Sequence, residues 1–307
     1  MAAGRRTWPR VGLWVGAGLA AAGAAIALSS FATAYLTVHP LPWSRYRRSW
    51  WTPSERDRDA RPVRFSSADG IVLAGRYLDR HADATIVVCH GWPGNKDDMR
   101  DLADVLADAG FNVLAFDFRS WGESDRGPVT LGYREAQDVL GAVAFAQARR
   151  AERGHRIGVL GLSMGGAASL LAAASCPKIE AVVADSSYTR LDRAVSGVFR
   201  SLWGPAAPLF DVPTRWAGER LIGTAMPDVS PVRAIERLSP RPVLIIHGTH
   251  DRLIDVREAQ ALYRTSHDPK ALWLVEGADH GETRRIAPQE YDRRVVGFFQ
   301  EHLGGPP

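Results

Sequence analysis

Ile157-Gly-Val-Leu-Gly-Leu-Ser163-Met-Gly-Gly166 is the stretch whose reading decides the fold. A short apolar run ends in Gly161-Leu162-Ser163-Met164-Gly165, and a small-residue segment of helical character, Ala167 to Ala174, follows at once. The pattern predicts a strand, a sharp turn carrying a serine, and a helix. A side chain on such a turn is pushed out at the strand's carboxyl end, which suits a nucleophile. The flanking glycines have a steric reason, because the serine backbone is strained and a neighbouring Cβ would collide with the adjoining strand and helix. In a chain with 29 glycines the five-residue pattern is weak alone, and a plain structural turn is the rival reading. The strand before it and the helix after it are the context that favours the nucleophile.

A chain of 307 residues, 46% apolar and 23% charged, holds one sizeable α/β domain plus an appendage. The first 59 residues carry 8 Lys+Arg against 3 Asp+Glu, a net of +5, so the remainder accounts for −1 of the total +4. A basic excess confined to one end marks membrane flanks, not a nucleic-acid face, and nucleic acid is excluded as a partner. The two cysteines, Cys89 and Cys176, lack metal-ligand spacing and cannot form a disulfide framework.

From Val11 to Val38 there are 28 residues without a charge. As a helix they span about 42 Å, more than the roughly 30 Å hydrocarbon core of a bilayer. Arg5, Arg6 and Arg10 precede this run and Arg45, Arg47 and Arg48 follow it, with Trp8, Trp14, Trp43, Trp50 and Trp51 near its ends. Residues 1–38 therefore read as a retained membrane anchor with the main domain outside the cell. The small-x-small triplet Ala32-Thr33-Ala34 keeps a cleaved signal peptide, and hence a secreted protein, as the alternative. Residues 39–60, with Pro40, Pro42 and Pro53, read as a linker, and 61–307 as the main domain.

Within that domain a hairpin is expected across Asp69-Gly70. Strands follow at Thr85–Cys89, Asn112–Phe116, Ile157–Leu162, Ala181–Ala184, Val243–His247 and Ala271–Val275. They alternate with helices at Lys96–Ala109, Arg134–Arg149, Val256–Ser266 and Pro288–His302. This order implies an α/β fold: a mostly parallel sheet, helices on both faces, and functional groups at the strands' carboxyl ends.

A serine hydroxyl needs a base to remove its proton, and the base needs an acid to orient it. Two later strands run into Gly248-Thr-His-Asp251 and Glu276-Gly-Ala-Asp279-His280, placing Asp251 and His280 in the chain order that follows such a serine. The rivals are weaker. His90 reads as a brace of its own Gly-rich loop, His250 has no carboxylate behind it, Asp255 reads as an N-cap, and Asp279 shapes a turn. Asp185, also at a strand end, is the alternative acid. The oxyanion donors expected are the backbone N–H of Met164, directly after the serine, and of Trp92, in the loop after Thr85–Cys89.

Taken together, His90-Gly91-x-x-Gly94, Asp117-x-Arg119-x-x-Gly122-x-Ser124, Gly161-x-Ser163-x-Gly165, Asp185-Ser186-x-Tyr188, Gly248-x-x-Asp251 and Gly277-x-x-His280 resemble the α/β-hydrolases. Within that superfamily the chain is similar to serine hydrolases with an N-terminal membrane anchor and a serine-aminopeptidase-like domain, over roughly residues 60–303. The resemblance implies the triad Ser163, Asp251, His280, with Asp117 and Arg119 as loop braces. It departs from the pattern at Ser120-Trp121, where relatives usually place Gly followed by His or Tyr, a change that bears on the pocket rather than the triad.

An insertion at about 188–238 sits where such enzymes carry a cap. It holds Val198, Phe199, Leu202, Trp203, Leu209, Phe210 and Trp216. Packing of the cap onto the core is their simplest role; the other is an apolar wall suited to an acyl substrate. With no phosphate-cradling loop, metal cluster or dinucleotide fingerprint in the sequence, no cofactor or metal is expected. The leading expectation is a membrane-anchored serine hydrolase acting on a small-molecule ester through an acyl-enzyme. Alternatives are a peptidase or acyltransferase on the same triad and, from another class, a catalytically idle membrane-tethered binding protein.

Overall fold

The computed structural model describes residues 8–41, 59–149 and 155–304. Continuous apolar runs become strands buried on both faces: β3 (Ala84–Cys89), β4 (Asn112–Phe116), β5 (Arg156–Leu162), β6 (Ile179–Asp185) and β7 (Val243–Gly248). Two strands precede them, β1 (Ala60–Ser66) at the sheet edge and β2 (Val72–Leu78), and β8 (Lys270–Val275) closes the far edge. The order is β1-β2-β4-β3-β5-β6-β7-β8. β2 runs antiparallel to both its neighbours, and all other pairs are parallel. The expected hairpin is present: the Ser67 and Gly70 N–H groups donate to Ile71 O and Ser67 O at 2.8 and 3.1 Å.

In chain order the helices are α1 (Trp8–Val38), α2 (Arg100–Asp108), α3 (Glu135–Ala148), α4 (Met164–Ser175), α5 (Leu191–Trp203), α6 (Ala207–Ile222), α7 (Pro231–Ile235), α8 (Val256–Thr265), α9 (Thr283–Ile286) and α10 (Pro288–Leu303). Because successive strand side chains face opposite ways, the sheet separates two cores. Val87, Val159, Val182 and Ile245 pack with Val139 of α3, Leu170 of α4 and Leu262 of α8. Ile86, Leu160, Val183 and Ile246 pack with Leu106 of α2 and Phe299 of α10 on the other face.

The helix expected from Lys96 starts later. Lys96–Met99 is a 3₁₀ turn closed by an Asn95–Asp98 capping box, and α2 begins at Arg100. The cause is a tertiary pull: Asp117 accepts from Lys96 N at 2.8 Å and from Lys96 Nζ at 2.7 Å. Arg119, fully buried, donates to both Asp138 and Asp69, joining α3 to the hairpin turn. Both residues brace loops, as expected of them.

The α1 helix is one continuous rod whose two parts differ. Residues 14–29 are exposed apart from a half-buried Ile26, whereas Ser30, Ala34 and Val38 are buried against α6 and its surroundings. Spaced four apart, these three share one face. Val129 N donates to Val38 O at 2.9 Å, tying the helix end into the body. Trp43, Trp50, Trp51, most of the expected linker and the arginine flanks other than Arg10 lie outside the described residues, as do the Trp8 and Arg10 side chains.

Candidate active site

Ser163 sits between β5 and α4 at φ 53°, ψ −114°, a left-handed conformation that costs a non-glycine residue about 1–3 kcal/mol and is held by its surroundings. Those surroundings explain the glycines. A Cβ on Gly161 would lie 2.2 Å from Gly165 O, and one on Gly165 would lie 2.5 Å from Cys89 O and 2.6 Å from His90 O. The turn is therefore drawn tight against itself and against the end of β3.

Two further chain segments meet at the serine. His280, after β8, has Nε2 2.9 Å from Ser163 Oγ, and its Nδ1 lies 2.7 Å from Asp251 Oδ2, after β7. The Asp251 side chain is wholly buried and His280 is mostly so. Asp251 Oδ1 accepts from the N–H groups of Leu253 and Ile254 at 2.9 and 2.7 Å. Burial pushes the Asp251 carboxyl up, but hydrogen bonds from His247 and His280, with the charge on His280 and the Ile254 amide, hold it well below the usual carboxylate range. An ionised acceptor fixes Nδ1–H on His280 and leaves Nε2 free to accept from the serine.

The rivals lie elsewhere in the network. Asp185 is buried and accepts from Thr283 Oγ1 at 2.6 Å and Ser186 Oγ at 2.9 Å. Burial raises its pKa, tempered by those hydroxyls and Tyr291. Asp279 accepts from the N–H groups of Arg252 and His280, Asp255 caps α8, and exposed His250 meets Thr249. Buried His90 accepts from Phe118 N–H through Nε2 at 3.0 Å and donates through Nδ1 to Gly91 O at 2.7 Å, bracing the loop that carries Trp92. Met164 opens α4, where N–H groups point outward.

One residue of the site escaped sequence reasoning. His247, buried within β7, places Nε2 2.8 Å from Ile254 O and 3.3 Å from Asp251 Oδ2. Burial lowers its pKa, but the Asp251 and Ile254 acceptors outweigh this and raise it above the ordinary value. A histidine inside an apolar strand was the only available signal. Among the described residues no group of His, Cys, Asp and Glu is arranged to hold a metal ion.

The inventory of α5, α6 and α7 corrects the packing expectation. Leu202, Trp203, Leu209 and Trp216 are 70, 50, 57 and 59% exposed, so they do not serve to seat the cap on the core. Val198, Phe199, Leu202 and Trp203 line an apolar cavity shared with α1, and Phe210 stacks on Trp203.

A mostly parallel sheet with a serine on a strained strand–helix turn, hydrogen-bonded to a histidine and through it to a buried aspartate, is the arrangement of the α/β-hydrolase fold. Residues 84–211 match the alpha/beta hydrolase fold family. YqkD of Bacillus subtilis, an uncharacterized protein, is 30% identical over 240 residues, covering 76% of this chain and 77% of its own. The esterase Pf2001 of Pyrococcus furiosus superposes with a TM-score of 0.70 at 27% identity, over 83% of this chain and 95% of its own. PA2218 of Pseudomonas aeruginosa, at 24% identity and TM-score 0.60, over 82% of this chain and 96% of its own, shares the fold. The chain belongs to the α/β-hydrolase family.

Proposed function

We propose that this chain is a membrane-anchored serine hydrolase that cleaves carboxylic esters through an acyl-enzyme. The observation that carries the reading is the hydrogen-bonded line Ser163 Oγ–His280–Asp251 at 2.9 and 2.7 Å. The likeness to the Pyrococcus furiosus esterase Pf2001 supports the ester as substrate.

Ser163 Oγ attacks the ester carbonyl carbon while its proton passes to His280 Nε2, and the carbonyl π pair moves onto oxygen. Asp251 holds the imidazole in its tautomer and stabilises the imidazolium. The oxyanion is received by the Met164 and Trp92 N–H groups, the first of them at the positive end of α4. Collapse expels the alkoxide, which takes the proton from His280 and leaves the acyl group on Ser163. Water then repeats the sequence and releases the acid.

The apolar run of α1, Trp14–Val38, is long enough to cross a bilayer. Retention of the helix is favoured over signal cleavage because Ala34, within the Ala32-Thr33-Ala34 triplet, is buried against the body. The test is labelling with a fluorophosphonate probe. Wild type is labelled in the membrane fraction after carbonate washing, and Ser163→Ala is not. A folded wild type that resists the probe refutes the enzyme, and labelled protein released by carbonate refutes the anchor.

A further inference from the structure

Between α1, α5 and the Trp92 loop runs a cavity of about 340 Å³ whose lining holds no charged side chain. Ala34 and Val38 of α1 and Phe199 and Leu202 of α5 contribute to its lining. Trp92 also lines it, and the Trp92 loop runs beside Ser163: a Cβ on Gly91 would stand 3.5 Å from Ser163 Cβ. Leu202 and Trp203, in the same lining, are 70 and 50% exposed and so open it to the surface. At the roughly 30 Å³ that a water-sized group occupies in a liquid, the volume corresponds to on the order of a dozen heavy atoms. Such a lining solvates neither a phosphate nor an ammonium group, and it fits a hydrocarbon tail.

The helix itself gives the depth of the entrance. Its charge-free helical stretch ahead of Ser30, residues 11–29, is 19 residues long and covers about 28 Å, close to the ~30 Å hydrocarbon core, and residues 14–29 of it are exposed apart from the half-buried Ile26. Ser30 is the first fully buried residue of the helix among the described residues, and its hydroxyl lies 3.5 Å from Phe210 O of α6. The bilayer surface therefore falls at the cap. There Leu202, Trp203, Leu209, Val212 and Trp216 present an exposed apolar rim. Trp203 stacks on Phe210 at 4.4 Å, and Arg220 sits 4.8 Å over the Trp216 ring, a pairing of amphipathic groups suited to the headgroup layer.

We propose that the cavity is an acyl-binding slot of which the membrane helix is one wall, and that it draws long-chain carboxylic esters directly from the bilayer. The anchor is then a specificity element as well as a tether. This assignment rests on the ester-hydrolase reading above.

The test uses the full-length enzyme in phosphatidylcholine vesicles, with a dodecanoyl ester dissolved in the bilayer and a water-soluble butanoyl ester as competing measures. Ala34→Phe fills the slot from the anchor side, and Leu202→Asp places a charge at its exposed mouth, where folding is not at stake. Fluorophosphonate labelling reports that each variant still assembles its triad. The ratio of kcat/KM for the long ester to that for the short one falls on the order of tenfold or more in each variant, the scale of lost apolar pocket contacts. An unchanged ratio in labelled Leu202→Asp overturns the slot while leaving the hydrolase intact. Turnover of the long ester from detergent micelles but not from vesicles overturns the bilayer as its source. A wild type that neither labels nor turns over the short ester overturns the hydrolase reading and the slot with it.

Discussion

Asp251→Asn is the substitution whose effect the geometry states most sharply. Asparagine keeps the shape of the side chain, and its carbonyl can still accept the Leu253 and Ile254 N–H groups that Oδ1 accepts at 2.9 and 2.7 Å. The amide nitrogen then falls where Oδ2 stands 2.7 Å from His280 Nδ1, and two donors face one another. His280 escapes by moving its proton to Nε2, which now points a donor at Ser163 Oγ instead of an acceptor. The serine loses its base and the imidazolium loses its counter-charge together. A triad with the wrong tautomer is slowed on the order of 10⁴-fold, or about 5.5 kcal/mol at 1.36 kcal/mol per tenfold. The assay is kcat on the soluble butanoyl ester, with thermal unfolding run alongside. Asp185→Asn is the partner experiment: its carboxylate is engaged by Thr283 and Ser186, so it lowers the unfolding temperature while retaining kcat within about tenfold. An Asp251→Asn enzyme keeping more than about a tenth of kcat, or an Asp185→Asn enzyme losing it by a thousandfold, would refute this assignment of the acid.

The remaining expectations concern the scaffold. Gly165→Ala drives a methyl to 2.5 Å from Cys89 O, a backbone atom that cannot swing away, and is expected to cost about 3 kcal/mol, the upper end for overpacking, in urea unfolding. Arg119→Ala leaves Asp138 fully buried without its bidentate partner, and a loss of about 3–5 kcal/mol is expected by the same measurement. For pH, the Asp251 carboxyl titrates lower in the folded chain than in the unfolded one, so its contribution is complete above the unfolded pKa of about 3.9 and is lost as pH falls below it. Wild-type urea midpoints should therefore decline more steeply than those of Asp251→Asn between about pH 5 and pH 3; parallel curves would show that Asp251 carries no such linkage.

Much of this architecture is legible along the chain because each strand that ends at the site is a dense apolar run. Ser163, Asp251 and His280 stand where β5, β7 and β8 stop, and a polar residue at such a stop is conspicuous. The glycines around Ser163 were readable for the same reason, since a backbone-to-backbone approach leaves a small residue as its trace. Less of the rest is local. His247 looks like one more strand residue, and its meeting with Asp251 depends on the turn that brings the chain back. Lys96 reads as a helix start until Asp117 draws it aside. The apolar side chains of α5 and α6 announce burial, yet whether they face the core, the solvent or α1 is decided by a helix far away in sequence.

The hydrogen bond from Val129 to Val38 has a practical consequence for anyone shortening this chain. A cut made just before β1, where the sheet begins, removes the acceptor of that amide and uncovers the surface now shielded by Ser30, Ala34 and Val38. A soluble fragment starting there would inherit an unsatisfied edge and an open apolar seam, and its aggregation would say nothing about the chemistry. A fragment starting before Ser30 keeps both. The boundary of the folding unit thus lies inside the hydrophobic helix, two to three turns before its end.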